Sequence, residues 1–151
     1  ILTVSKVVND LERIGDEVKK IAYKSRQARG GDALRRVRYY DVVRMAKRAQ
    51  TMLRMSLDAI ARLDAGSAAE IVGLDDEIDA DFAAILRQLV SYMMEDARTI
   101  TPAIEIVFIA KSIERVGDHA KNIAEAVVQV VKGKDVRHAS AARIRAEIAE
   151  P

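Results

Sequence analysis

Ile113-Glu114-Arg115-Val116-Gly117-Asp118-His119-Ala120-Lys121-Asn122-Ile123-Ala124 repeats Leu11-Glu12-Arg13-Ile14-Gly15-Asp16-Glu17-Val18-Lys19-Lys20-Ile21-Ala22 at an offset of 102 residues, with seven of twelve positions identical. Repetition at a fixed offset marks a duplicated structural unit. A shared amphipathic pattern explains the aliphatic matches. It does not explain Glu-Arg-x-Gly-Asp twice. In both copies the apolar residues recur at the helical period. Gly15 and Gly117 therefore fall inside helices, where glycine costs about 1 kcal/mol relative to alanine. A missing side chain lets something come close to the backbone. Another helix and a bound group both fit that reading.

The rest of the chain follows the same period. Aromatic residues are 4% of the 151, and no clear segment alternates apolar with polar. Four helices are expected. The first runs from about Leu2 to Gln27, with Leu11, Ile14, Val18 and Ile21 on one stripe, and Gly30-Gly31 breaks the chain after it. The second runs from about Leu34 to Leu63, burying Val42, Met45, Ala49, Met52, Leu53, Leu57 and Ile60. The third covers about Ala68 to Asp96, with Ser67 as N-cap and Ile71, Leu74, Ile78, Phe82, Ile85, Leu89 and Tyr92 in its seam. Thr101 is read as the cap of the fourth, with Pro102 at its first position. That helix continues to about Lys132, and Gly133 ends it. Residues 134–151 read as a polar tail or a short polar helix. Long helices joined by short loops make antiparallel neighbours, so the fold class is all-α, an antiparallel helical bundle.

Composition narrows the chemistry. Lys and Arg number 25 against 23 Asp and Glu, a formal net charge of +2. A dedicated nucleic-acid binder usually carries a larger excess of positive charge. There are no cysteines, which removes thiolate catalysis, Cys-ligated zinc and iron–sulfur clusters and fits a reducing compartment. Two histidines are too few for a multi-histidine metal site. No stretch reads as a membrane span or a secretion signal. The first residue is Ile rather than Met, which reads as a chain beginning inside a longer product. Charge is uneven: Lys24 to Arg54 holds ten basic and two acidic residues, and Asp64 to Asp81 holds seven acidic and no basic ones. These are two solvated faces that attract each other across the bundle, or the basic one docks an acidic partner or membrane face.

The carboxylates are the candidate chemistry. Glu12/Asp16 and Glu114/Asp118 are i,i+4 pairs, each on one helix face. Four acidic i,i+4 pairs occur in the chain, no more than composition alone produces. Two of them, however, stand at matching places in the repeat. Asp75/Asp79 is a third pair, on the helix before Glu114/Asp118. With the intervening turn near Arg98–Thr99, Asp79 and Asp118 each lie about 20 residues from it, and antiparallel helices rise equally on both sides. Asp75, Asp79, Glu114 and Asp118 are thus expected at one level across one groove. Four converging carboxylates suit a hard cation such as iron, manganese or magnesium. The same acids also read as surface ion-pair partners, with Arg13 and Arg115 adjacent.

Catalytic readings fare worse. No Glu has His three residues later, as a diiron bundle requires. His119 points about 100° away from Asp118 round the helix and is expected to be exposed; His138 lies in the polar tail. There is no nucleophile elbow, P-loop or dinucleotide fingerprint. No enzyme activity is expected.

Three further segments carry a resemblance. Ser91-Tyr92-Met93-Met94-Glu95-Asp96-Ala97-Arg98-Thr99-Ile100, then Ser112 through Glu125 around the second motif, then Val131-Lys132-Gly133-Lys134-Asp135-Val136-Arg137-His138, closely resemble the PhoU family of phosphate-transport regulators. Asp10 to Asp16 looks like the motif of that family's first repeat. The resemblance implies a tandem of three-helix bundles. Residues 1–29 would be the last helix of a first repeat that is incomplete in this chain, 34–133 the second repeat, and 134–151 the tail.

The resemblance also implies function. Such a protein represses the phosphate-starvation response and phosphate uptake by contact between a phosphate ABC transporter ATPase and a sensor histidine kinase. It is cytoplasmic, peripheral to the inner face of the membrane, and a homodimer. Some relatives carry multinuclear iron or zinc on E/D-x-x-x-D motifs. Carried over, one metal site would use Asp75, Asp79, Glu114 and Asp118. Another would use Glu12 and Asp16, whose partner pair would lie in helices ahead of Ile1. No anion site is evident, so the transporter is expected to report phosphate. The alternative readings are a metal-binding or metal-storage bundle, a helical nucleic-acid binder, and an ion-free structural adaptor.

Overall fold

In the computed structural model the described residues are 2–27, 32–133, 136 and 139–149. The Gly30-Gly31 turn and His138 lie outside them. Among the described residues there are five α-helices, α1 (Leu2–Gln27), α2 (Asp32–Arg62), α3 (Ala68–Glu95), α4 (Ile100–Lys132) and α5 (Ala141–Ala149), and no strand. Helices α2, α3 and α4 pack as an up-down-up three-helix bundle. Helix α1 lies against the outer side of α4, and α5 rests on α3.

The expected turns are close to the observed ones. Gly133 ends α4 in the left-handed conformation with φ 69°. Helix α2 ends with Leu63 at φ 53°, and the Asp64 carboxylate then accepts from the Gly66 N–H at 2.8 Å. Ser67 makes no capping bond, because Asp64 has already capped a 3₁₀ turn over Ala65–Ser67. A second such turn, Ala97–Thr99, precedes α4. Thr99 rather than Thr101 is therefore the N-cap residue, and its hydroxyl reaches the Tyr92 and Asp96 carbonyls.

The core runs along the seam between α2, α3 and α4. Met45, Met52, Ile71, Ile78, Leu89, Ile123, Val127 and Val128 are fully buried, each contributing about 1.5–3 kcal/mol of transfer free energy. Ser56 is buried among them. Its hydroxyl lies 2.9 Å from the Met52 carbonyl and 2.8 Å from that of Ala120, tying α2 to α4. Within the tail, α5 packs into the fold, with Ile144 fully buried.

Helix α1 departs from the expected face. Val7, Ile14 and Glu17 are its buried residues and Ile21 is partly buried, whereas Leu11 is 38% and Val18 51% exposed. The helix carries two apolar stripes with the same seven-residue spacing, and only Val7, Ile14 and Ile21 meet α4. The other, Val4, Val8, Leu11 and Val18, faces solvent. By the repeat offset, Val8, Leu11 and Val18 match Ala110, Ile113 and Ala120, which are buried in the bundle.

The repeat reappears as symmetry. The offset matches Asp10 with Ser112 and Glu17 with His119. His119 Nδ1 lies 2.8 Å from Asp10 Oδ1, and Ser112 hydrogen-bonds Glu17. These are two copies of one contact about a pseudo-twofold axis, so α1 and α4 run antiparallel. His119 is accordingly not exposed as expected but part-buried, clamping α1.

Candidate functional site

One face of α4 carries Lys111, Glu114, Asp118 and Lys121, spaced by threes and fours so that they stack along the helix. Asp75, Asp79 and Phe82 face them from α3. Asp75 is only 2% exposed. Lys121 Nζ donates to its Oδ2 at 2.7 Å, while Oδ1 is buried without a hydrogen-bond partner. Gly117 makes room for it. A Cβ there would stand 3.1 Å from Ile78 Cδ1 and 3.5 Å from Asp75 Oδ1. The close approach inferred for this glycine is thus to the side chains of α3.

Glu114 is held by Lys111, whose Nζ lies 2.6 Å from Oε1 and 5.2 Å from the centre of the Phe82 ring. Asp79 and Asp118 stand at the groove's rim, and no hydrogen bond or ion pair reaches either from a described residue. Burial raises the Asp79 carboxyl above the ordinary range, and the charges of Asp75 and Glu114 raise it further. Burial also raises Asp118, joined by Glu114, Asp75 and Asp79. The four acids expected at one level therefore share one electrostatic neighbourhood.

The donor set is all oxygen, the chemistry of hard cations. The unpartnered Asp75 oxygen and the two rim carboxylates are the available ligands. Among the described residues no three acidic or histidine side chains already enclose a common point. Gathering round an ion would require the flexible rim carboxylates to turn inward and the lysines to give way.

Among the described residues, Glu12 and Asp16 are brought to no partner pair. Both are exposed on α1, Asp16 makes a solvent-facing 3.4 Å pair with Lys19, and nothing lies within 4 Å of a Cβ placed on Gly15. Glu17 is the buried acid of that helix. Burial pushes its carboxyl up, but hydrogen bonds from Lys20 and Ser112 and the charges of Lys20 and Arg115 outweigh this, leaving it below the ordinary range.

The charge runs also meet. Arg44 Nη2 lies 3.1 Å from Asp81 Oδ1, Arg48 Nη1 pairs with Asp81 Oδ2, and Arg48 Nε lies 3.3 Å from Glu77. For these residues the faces attract each other across the bundle. Sequence reasoning missed Lys111 and Lys121 as members of the groove. The signal was present for Lys121, which is identical in both copies of the repeat and three residues from Asp118.

The raised rim carboxyls set a pH dependence. An acid whose folded-state pKa is raised is disfavoured as an anion in the fold, so its penalty applies above that pKa. The penalty disappears as pH falls toward the ordinary aspartate value of 3.8. With chelator present, Asp118→Asn should therefore raise stability at pH 7 by about 0.5 kcal/mol, a small figure because the group is still half-exposed and screened. The gain should fade as the pH approaches 4. Urea denaturation of both proteins across that range measures it.

A family model for the PhoU domain matches residues 42–127. The chain belongs to the PhoU domain family. It is 42% identical over 149 residues to the phosphate-specific transport system accessory protein PhoU homolog of Pseudomonas aeruginosa, covering 98% of this chain and 61% of that protein. It is 37% identical over 138 residues to the phosphate-specific transport system accessory protein PhoU of Escherichia coli, covering 91% of this chain and 56% of that one. The chain thus spans about three fifths of the length of the curated relatives it matches. The crystal structure of PhoU from Pseudomonas aeruginosa superposes with a TM-score of 0.82 at 41% identity, over 88% of this chain and 63% of that one. Among the described residues of this PhoU-domain chain, no helix is long and apolar enough to cross a membrane.

Proposed function

We propose that this PhoU-domain chain is part of an accessory protein of a phosphate-specific transport system. It acts without catalysis, by protein contact, to repress phosphate uptake and the phosphate-starvation response when phosphate is plentiful. Its partners are the transporter's ATPase and a sensor histidine kinase. It works in the cytoplasm as a homodimer, peripheral to the membrane through those partners. The observation that carries this reading is the 42% identity over 98% of the chain to a phosphate-specific transport accessory protein.

The acidic groove is read as a site for a divalent cation held by Asp75, Asp79, Glu114 and Asp118, with iron, zinc, manganese and magnesium as the candidates. Glu12 and Asp16 would hold a second ion with carboxylates from outside this chain. Support for the first comes from the buried, unpartnered Asp75 Oδ1 and from the mutual repulsion of the rim acids. A bound ion would neutralise that charge and cross-link α3 to α4; no reaction is assigned to it.

Partner contact is tested with purified components. The protein should retain both the transporter ATPase and the kinase's cytoplasmic part on an affinity column, and strains lacking it should express starvation genes in high phosphate. Retention of neither partner, with normal repression in the deletion strain, would overturn the reading.

A further inference from the structure

Two ammonium groups already sit in the acidic groove, and they differ in kind. Lys111 pairs with Glu114 one turn along its own helix. Lys121 reaches from α4 to α3, where its Nζ lies 2.7 Å from Asp75 Oδ2. Its side chain is 26% exposed, against 3% for that of the aspartate. Asp118 and Glu125 also surround it with negative charge.

The lysine belongs to the repeated motif. Lys19 follows Asp16 by three residues, as Lys121 follows Asp118. On α1, where no facing pair is present among the described residues, Lys19 is 81% exposed and falls back on Asp16. On α4, where a facing pair exists, the lysine crosses the groove.

We propose that Lys121 is the groove's tethered counter-ion, which holds the Asp75 carboxylate while no divalent cation is bound and swings into solvent when one is taken up. This rests on reading the groove as a cation site. Asp75 is fixed by burial, so it cannot turn away to keep both partners. Lysine carries a hydrated point charge on a flexible four-carbon stem and has solvent within reach. The ammonium and a divalent ion would repel each other at one carboxylate, so Lys121 is the group that leaves. Two consequences follow. The groove is never left with four uncompensated carboxylates, since Lys111 and Lys121 supply two charges. A monovalent ion brings no more charge than the ammonium it would displace, so the lysine biases the site toward divalent ions.

The test compares the wild-type protein with Lys121→Met after chelator treatment, using manganese, zinc and ferrous salts in turn. The variant should bind its preferred ion at least tenfold more tightly, and without metal it should melt at a lower temperature than wild type. A second measurement needs no variant. Acetylation of Lys121 by an amine-reactive reagent, followed by peptide mass spectrometry, should accelerate at least threefold at saturating metal while exposed Lys47 is unchanged. Equal or weaker metal affinity in a folded Lys121→Met protein overturns the exchange and leaves the cation site standing. So does unchanged Lys121 reactivity in metal-saturated wild type. If neither protein binds any of the three ions, the groove reading falls and the exchange with it.

Discussion

Replacing Asp81 with alanine should lower stability by about 2–3 kcal/mol. Asp81 is 8% exposed on α3 and receives two guanidinium groups from α2, Arg44 at 3.1 Å on one oxygen and Arg48 on the other. A fully buried pair that loses one member costs about 3–5 kcal/mol, and an exposed pair at most about 1 kcal/mol. This network lies between those limits, because the carboxylate is buried while the arginine side chains are 44% and 34% exposed and can rehydrate. Asp76→Ala, on the exposed face of the same helix, should stay within about 0.5 kcal/mol of wild type. Denaturant unfolding of the two variants makes the comparison. A loss below about 0.5 kcal/mol for Asp81→Ala would place the network with ordinary surface pairs.

Gly117→Val should cost about 1–3 kcal/mol, the range for overpacking a closed core. A Cβ there already meets Ile78 Cδ1 at 3.1 Å. Ile78 is fully buried, so its terminal methyl has little room to retreat, and valine adds two more methyl groups. The matching glycine of the first motif should respond with the opposite sign. Nothing stands within 4 Å of a Cβ on Gly15, so Gly15→Ala should gain up to about 1 kcal/mol from helix propensity alone. Thermal melts of the two variants read the contrast directly. Losses of similar size at both positions would show that close approach to α3 is not why Gly117 is glycine.

The helices were legible because their apolar residues keep one period for many turns, and because Gly133 and the polar turns punctuate them. Counting residues from the α3–α4 turn was enough to place Asp75 and Asp79 opposite Glu114 and Asp118, since antiparallel helices rise at one rate. The sequence could not choose between the two apolar stripes of α1. Val7, Ile14 and Ile21 are no more apolar than Leu11 and Val18, and only the neighbour, α4, decides which set is covered. Nor did it show that His119 clamps Asp10, because that contact joins positions 109 apart. Ile144 was hidden by its polar surroundings. The crossing of Lys121 to Asp75 escaped notice because a long side chain's reach to another helix is set by tertiary packing rather than by local spacing.

The proposal that the acidic groove holds a cation is tested most directly by metal analysis of protein purified from metal-replete cells, beside an Asp79→Ala/Asp118→Ala variant prepared in the same way. The groove predicts stoichiometric iron, zinc or manganese in the wild type and its loss in the variant. No metal in either protein, or equal metal in both, would contradict it and leave Asp75, Asp79, Glu114 and Asp118 as a lysine-neutralised feature of the α3–α4 seam.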